Sequence, residues 1–225
     1  MSECGSGHYR HVLNDAPCEL PVGKVVCVGR NYAAHAKELN NPVPESPIIF
    51  IKPATSIQPL SEPIRWPGGL GSCHHELEIS ILIGARVTKQ SASEVVGHIA
   101  GIGLGLDLTL RDLQNQLKAK GQPWELAKAF DGACPLSGFV LPAEFRDLSN
   151  IQLALRINGE LRQQGNSSDM LTPITELIAY ISQYITLEAG DVVLTGTPAG
   201  VGPFQSGDQL TLILDERFQF GAKVA

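Results

Sequence analysis

The sequence lacks the features that mark secreted, zinc-ribbon and membrane-spanning proteins. Its five cysteines are an odd number without a Cys-x-x-Cys pair, which speaks against both a disulfide framework and a structural zinc cluster. No apolar run reaches the ~18 residues of a membrane span, and the polar start has no apolar run behind a basic patch, as a secretory signal would. We therefore expect no membrane partner and a cytoplasmic location.

An excess of positive charge is also absent. The 225 residues carry 17 Lys and Arg against 23 Asp and Glu, a formal net charge of −6, which argues against nucleic acid as a partner. Hydrophobic residues make up 43% and charged residues 18%, as in ordinary globular proteins. A chain of this length is expected to be one domain, residues 1–225, with 1–20 as an irregular lead-in.

Several short apolar segments and few helical ones predict a mostly β (α+β) fold. Asn158-Gly159 predicts a hairpin on a type I′ turn. Asn31 is a candidate N-cap, and Thr109-Leu-Arg-Asp112 has the form of a capping box. The Pro- and Gly-rich segment 53–71 is long for a loop, so we expect it to contain a strand or a function. Strands are predicted at 24–28, 47–51, 77–84, 97–107, 151–157, 160–163, 191–194 and 209–214, and helices at 31–39, 109–119 and 174–185.

The segment His75-Glu-Leu-Glu78 is the strongest chemical signal. The alternating apolar residues from Leu77 to Ile83 predict a half-buried strand on which Glu76 and Glu78 share a face, with Cα atoms about 6.6 Å apart. Two carboxylates that close repel unless a proton or a cation lies between them. The alternative is an ordinary amphipathic strand whose glutamates face solvent. Glu is disfavoured in strands and no Lys or Arg is interleaved, so a metal site is favoured.

A third acid, Asp107, ends the apolar strand that follows. With Glu76 and Glu78 it would form an all-oxygen site suited to Mg²⁺ or Mn²⁺. The alternative for Asp107 is an N-cap of the helix near Thr109. A rival site uses His74 with the two glutamates to hold Fe²⁺ for oxygen chemistry, but a second His on a separate strand would be expected.

Other candidate residues are distributed along the chain. His35 and Glu38 share a helix face and could form a general base, although spacing alone favours a surface pair. Lys128 lies among apolar residues and could stabilise an enolate, or it could extend to solvent. Arg111 and Gln114 share a helix face, and the turn 195–198 could offer amide groups and a hydroxyl to a carboxylate.

Together these segments closely resemble the fumarylacetoacetate hydrolase family, in particular its short, single-domain acylpyruvase and oxaloacetate decarboxylase members and their bacterial relatives described as isomerases. The matching segments span roughly 24–210 in order: Val28-Gly-Arg-Asn-Tyr-Ala-Ala-His35-Ala-Lys-Glu38, Phe50-Ile-Lys-Pro53, His75-Glu-Leu-Glu78, Leu106-Asp-Leu-Thr-Leu-Arg-Asp-Leu-Gln114, Trp124-Glu-Leu-Ala-Lys-Ala-Phe130, Asn158-Gly-Glu160, Asp191-Val-Val-Leu-Thr-Gly-Thr-Pro-Ala-Gly-Val-Gly202 and Gly207-Asp208.

The resemblance implies a mixed β-sandwich roll, a homodimer, and Mg²⁺ or Mn²⁺ bound by Glu76, Glu78 and Asp107. It makes His35 and Glu38 a water-activating dyad on a mobile lid and Lys128 the cation beside the reacting carbonyl. The residues that it implies for substrate binding are Arg30, Arg111, Gln114 and Thr197.

The same resemblance implies a function. The first expectation is hydrolysis or decarboxylation of small 2,4-dioxo acids such as acylpyruvates, fumarylpyruvate or oxaloacetate. The second is isomerisation or tautomerisation of enolic dicarboxylic acids at the same metal.

Overall fold

Strands predominate in the computed structural model, which describes residues 9–225. The predicted mostly β fold with a few short helices is confirmed. Cys4 and the rest of segment 1–8 lie outside the described residues. The strands are β1 Val12–Leu13, β2 Ala16–Pro17, β3 Val25–Gly29, β4 Ile48–Lys52, β5 Ile57–Pro59, β6 Cys73–His75, β7 Leu77–Ile83, β8 Ile99–Leu106, β9 Thr109–Leu110, β10 Cys134–Leu136, β11 Gln152–Ile157, β12 Glu160–Asn166, β13 Val192–Leu194, β14 Gly202–Pro203, β15 Gln209–Leu214 and β16 Phe218–Lys223.

The helices are short and lie around the sheets. They are α1 Ala33–Glu38, α2 Ala92–Val95, α3 Arg111–Ala119, α4 Glu125–Lys128 and α5 Ile174–Tyr184. Within the described part of the chain, no helix is long and apolar enough to cross a membrane.

A seven-stranded mixed sheet forms the centre of the molecule, in the order β4-β3-β13-β7-β8-β10-β5. Strand β13 runs parallel to β3 and β10 runs parallel to β5, while the other pairs are antiparallel. An antiparallel sheet in the order β12-β11-β15-β16 and a small one in the order β14-β6-β9 accompany it.

Both faces of the central sheet are covered. Val26 and Val28 of β3 belong to one apolar cluster, whereas Val25 and Cys27 belong to a second one on the opposite face. Strand β7, between β13 and β8, is buried at every residue. The prediction of a half-buried strand is therefore wrong: the alternation of residue types does not reflect solvent exposure, because a central strand covered on both faces has no solvent side.

The two sequence signals for helix capping are wrong, but the hairpin signal is right. Asn31 does not cap α1, whose N-cap is Tyr32, and Thr109 lies in β9 and donates to the carbonyl of Asp107. A capping box is present instead at Ser91, before α2. Asn158 and Gly159 have φ of 53° and 84°, as the type I′ turn between β11 and β12 requires.

Two segments expected to be irregular contain strands. Residues 12–17 form the antiparallel hairpin β1-β2 inside the predicted lead-in. The segment 53–71 contains β5, as its length suggested, and this strand pairs with β10 at the edge of the central sheet.

Candidate active site

Strand pairing brings the three predicted carboxylates together. Strands β7 and β8 are antiparallel neighbours, and the amide of Asp107, just past the end of β8, donates to the carbonyl of Glu76, just before β7, at 2.8 Å. One carboxylate oxygen from each of Glu76, Glu78 and Asp107 lies within 4.8 Å of the others, and all three residues are at most 5% exposed. A buried all-oxygen cluster therefore occupies one end of the central sheet.

Three cations surround the cluster. The Nζ of Lys128 donates to Glu76 Oε2 at 2.8 Å and to Asp107 Oδ2 at 2.6 Å. Arg111 forms an ion pair with Glu76 on the other side. The Nζ of Lys52 lies 2.8 Å from Asp107 Oδ1 without hydrogen-bond geometry, so Asp107 Oδ1 is left without a hydrogen-bond donor.

The donor set fits a divalent metal ion. Burial raises the pKa of Glu76, but Lys128 and Arg111 more than compensate and hold the pKa well below its ordinary value. Burial together with Asp107 and Glu76 raises the pKa of Glu78 well above its ordinary value. The positive charge near Glu78 is therefore too small to balance its carboxylate, although the amide of Gly196 donates to its Oε2 at 2.6 Å. Carboxylate oxygens in this arrangement are hard ligands of the kind that Mg²⁺ and Mn²⁺ prefer.

His35 and Glu38 form a pair on α1 at the edge of the same cleft. The Nδ1 of His35 is 3.4 Å from Glu38 Oε2, and the amide of Gly200 donates to Glu38 Oε1 at 3.0 Å. His35 is 5% exposed. Burial lowers its pKa below 6.5, against the opposing influence of Glu76 and Glu38, so the imidazole is neutral near neutral pH. The pair is thus a buried imidazole held by a carboxylate, not the surface pair that spacing alone favours.

The predicted substrate-binding residues line the same cleft, which has a volume of about 440 Å³ including its open mouth. Arg111 donates from Nη1 to Gln114 Oε1 at 2.8 Å, which orients both side chains. Arg30 has a left-handed φ of 61° between β3 and α1. The predicted residues that line the cleft are Arg30, His35, Glu76, Glu78, Asp107, Arg111, Gln114, Lys128 and Thr197.

Some expectations about the site change. Among the described residues, the metal-ligand cluster contains three carboxylates and no His74, which weakens the iron alternative. Asp107 pairs with two lysines and does not cap a helix. Lys128 is 3% exposed, so it does not extend to solvent.

Sequence reasoning missed three buried polar residues around the cleft. Lys52, in β4, pairs with Asp107. Gln163, in β12, bonds to Thr197. Asn31 bonds through its side chain to Thr172 and to the carbonyl of Thr195. A lysine that ends an apolar strand was the available signal for Lys52; no local pattern marks Gln163.

The chain matches the family model described as fumarylacetoacetate (FAA) hydrolase C-terminal over residues 24–223. It therefore belongs to the fumarylacetoacetate hydrolase family, as its motifs indicated, and its curled, mostly β architecture is the fold of that family.

The relatives of this chain are named for three different reactions. Oxaloacetate tautomerase YcgM of Escherichia coli (strain K12) is 54% identical over 209 residues, 92% of this chain and 95% of that protein. The mitochondrial oxaloacetate decarboxylase of Dictyostelium discoideum is 43% identical over 82% of this chain and 85% of its own. Fumarylpyruvate hydrolase from Pseudomonas aeruginosa, whose crystal structure is a complex with Mn²⁺ and pyruvate, is 32% identical with a TM-score of 0.90, covering 96% of this chain and 95% of its own.

Proposed function

We propose that this protein is a divalent-metal-dependent tautomerase of oxaloacetate, interconverting its enol and keto forms. The observation that carries the proposal is the buried cluster of Glu76, Glu78 and Asp107 beside the ammonium group of Lys128. The relative at 54% identity supports this reaction over the others, because it is named for it.

Glu76, Glu78 and Asp107 would hold the Mg²⁺ or Mn²⁺ ion. When bound, this ion supplies a Lewis acid that withdraws electrons from the carboxylate and 2-oxo oxygens of a 2-oxo acid. The Mn²⁺ and pyruvate of the Pseudomonas aeruginosa neighbour support this proposal, since pyruvate is itself a 2-oxo acid.

Lys128 is suited to stabilise an enolate. Burial lowers its pKa, but Asp107 and Glu76 more than compensate and raise the pKa above its ordinary value. The side chain therefore stays an ammonium group although it is almost fully buried. A fixed cation in such a place stabilises negative charge that develops on a substrate oxygen.

His35 is suited to move the proton. Its Nδ1 faces Glu38, which leaves Nε2 to move one proton between C3 and the 2-oxygen of the substrate: the imidazole takes the proton from one of these atoms, and the imidazolium delivers it to the other. Glu38 stabilises the imidazolium that exists while His35 carries the proton. Glu38 is itself anchored by the amide of Gly200, so the base has a defined position.

Arg111, Gln114, Arg30 and Thr197 would bind the substrate carboxylates. Two guanidinium groups on the cleft wall suit a dicarboxylic acid such as oxaloacetate. We also propose, on the family resemblance, that residues 1–225 form one catalytic domain that acts as a homodimer.

Hydrolysis or decarboxylation is the second candidate function. The contact between His35 and Glu38 favours hydrolysis, because the same base could activate water to cleave the C–C bond of an acylpyruvate or fumarylpyruvate. Decarboxylation of oxaloacetate needs the same electron withdrawal and no water nucleophile.

A substrate panel with Mg²⁺ or Mn²⁺ tests these reactions. We expect enolic oxaloacetate to lose its ultraviolet absorption without release of pyruvate or CO₂, and His35→Ala to slow that change about 100-fold or more. Release of pyruvate from acylpyruvate or fumarylpyruvate, or of CO₂ from oxaloacetate, at a higher kcat/KM would favour the second candidate. No turnover of any of them would refute both.

A further inference from the structure

Gln163 is a buried side chain behind the cleft with all four of its hydrogen bonds made. Its Oε1 accepts from the amide of Leu77 at 2.9 Å and from Nδ1 of His75 at 3.0 Å. Its Nε2 donates to Thr197 Oγ1 at 2.8 Å and to the carbonyl of Pro198 at 2.9 Å. A side-chain amide has two acceptor and two donor positions, so Gln163 has no free hydrogen-bonding capacity.

Backbone groups determine the orientation of this amide. The Leu77 N–H can only donate, so the oxygen of Gln163 must face β7. The Pro198 carbonyl can only accept, so the nitrogen must face the turn. His75 must consequently carry its proton on Nδ1.

The orientation of Gln163 determines what the hydroxyl of Thr197 can do. Because Thr197 Oγ1 accepts from Gln163, its own hydrogen must point elsewhere. The Pro198 carbonyl is a distant acceptor at 3.5 Å, whereas Thr197 itself lines the cleft beside the carboxylate cluster. The hydroxyl hydrogen is thus available to an acceptor bound in the cleft.

The same amide also sets the spacing of the site. Leu77 lies between Glu76 and Glu78, so Gln163 connects the strand that carries these carboxylates to the turn that carries Thr197. A bound ligand that contacts both the carboxylate cluster and Thr197 would therefore meet groups held at a fixed separation.

We propose that Gln163 is a positioning residue that presents the Thr197 hydroxyl as a hydrogen-bond donor to a carboxylate oxygen of the substrate. The inference rests on the proposed function for the chemical class of the ligand, a small 2-oxo acid. Gln163 is 1% exposed and is not among the residues that line the cleft, so it acts through Thr197 and not on the substrate directly.

Gln163→Glu tests the inference because it keeps the length of the side chain and an acceptor for Leu77 and His75. It replaces the donor to Thr197 with a carboxylate oxygen, toward which the Thr197 hydroxyl then turns its hydrogen. Gln164→Glu is the matched control, since it adds the same charge at the neighbouring, exposed position of β12. Thr197→Val removes the hydroxyl, and Thr197→Ser keeps it.

The probe is pyruvate, titrated by calorimetry into the Mn²⁺-loaded protein, with Mn²⁺ affinity and thermal unfolding measured in parallel. We expect Gln163→Glu and Thr197→Val each to weaken pyruvate binding about tenfold or more, the effect of losing a hydrogen bond to a charged group. Gln164→Glu and Thr197→Ser should stay near wild type, and Mn²⁺ affinity should be unchanged. The double variant should bind pyruvate no more weakly than Thr197→Val alone, because both changes remove one donor. With oxaloacetate, KM should rise by more than kcat falls.

Wild-type pyruvate affinity in folded Gln163→Glu, or additive losses in the double variant, would overturn the inference. Wild-type affinity in Thr197→Val would overturn it even if Gln163→Glu did not fold. A wild-type protein that binds pyruvate but does not turn over oxaloacetate would instead refute the proposed reaction and leave the role of Gln163 standing.

Discussion

The amide of Asp107 donates a 2.8 Å hydrogen bond to the carbonyl of Glu76, and this contact joins the two segments that carry the carboxylate cluster. The acidic side chains are thereby held together before any ion binds. The stability of these two segments and the binding of a cation by their carboxylates should therefore depend on each other.

Binding of Mn²⁺ or Mg²⁺ should stabilise the fold. An ion at 100 times its Kd adds about 2.7 kcal/mol to the free energy of unfolding if it binds only the folded state. Thermal unfolding with added metal and with EDTA measures this difference. Glu76→Gln and Asp107→Asn should lose the metal-dependent rise in Tm, and Glu160→Gln, an exposed carboxylate on β12, should retain it. An equal rise in all the variants would place the ion elsewhere.

Lys52→Met should destabilise the protein by about 3–5 kcal/mol, the usual result of removing one partner of a buried ion pair. Lys52 is fully buried, lies 2.8 Å from Asp107 Oδ1 and donates to the carbonyls of Lys128 and Ala133. Chemical denaturation measures the loss. The control is Lys223→Met at an exposed position of β16, which should change stability by less than about 0.5 kcal/mol. A similarly small change for Lys52→Met would show that Asp107 does not need this cation.

The acid limb of the pH profile should report His35. Burial lowers the pKa of its imidazole below 6.5, while Glu76 and Glu38 oppose this shift and Arg111 adds to it. In the proposed mechanism the neutral imidazole is the active base, so kcat/KM for tautomerisation should fall as the pH drops through a midpoint below 6.5. Glu38→Gln should move the midpoint lower, because it removes a carboxylate that favours the protonated ring. A midpoint above 6.5, or one unmoved in Glu38→Gln, would contradict this assignment.

The lowered pKa of His35 should also make the free energy of unfolding depend on pH. Because the pKa of His35 is lower in the folded state than in the unfolded chain, the unfolded chain binds the proton more tightly. The contribution of His35 to the free energy of unfolding should therefore fall as the pH drops below the unfolded value of 6.5 and level off below the folded value. Denaturation of His35→Asn, which cannot titrate in this range, should show a smaller loss between pH 7 and 5.

Gly200→Ala should disturb the turn that anchors Glu38. Gly200 has a φ of 99°, and a Cβ there would lie 2.0 Å from the carbonyl oxygen of Arg162. Gly207→Ala is the matched control, with a φ of 89° and nothing within 4 Å of the added Cβ. We expect about 1 kcal/mol of destabilisation at Gly207 from the backbone conformation alone. Gly200→Ala should cost at least about 2 kcal/mol more, with reduced kcat. Equal stability and activity of the two variants would show that the turn relaxes freely.

Local signals in the sequence were enough to predict several elements. The Asn158-Gly159 turn and the amphipathic helix α5 depend on neighbouring residues, and their predicted positions agree with the structure within a residue or two. The shared side of Glu76 and Glu78 also follows locally, because side chains of a strand alternate. The capping signals at Asn31 and Thr109 failed, because tertiary hydrogen bonds and strand pairing engage these residues instead.

The acidic motif of Glu76 and Glu78, the strand that follows it and the family to which the chain belongs can all be derived from the sequence. The packing of the sheets was needed to show that this strand is buried on both faces and that Lys52, Arg111 and Lys128 surround the carboxylates. The same packing shows that Gln163 connects Leu77 to Thr197. These contacts join residues 21 or more positions apart in the chain. The ionisation of a buried acid depends on the charges around it, so the state of Glu78 could be derived only after the sheets had assembled.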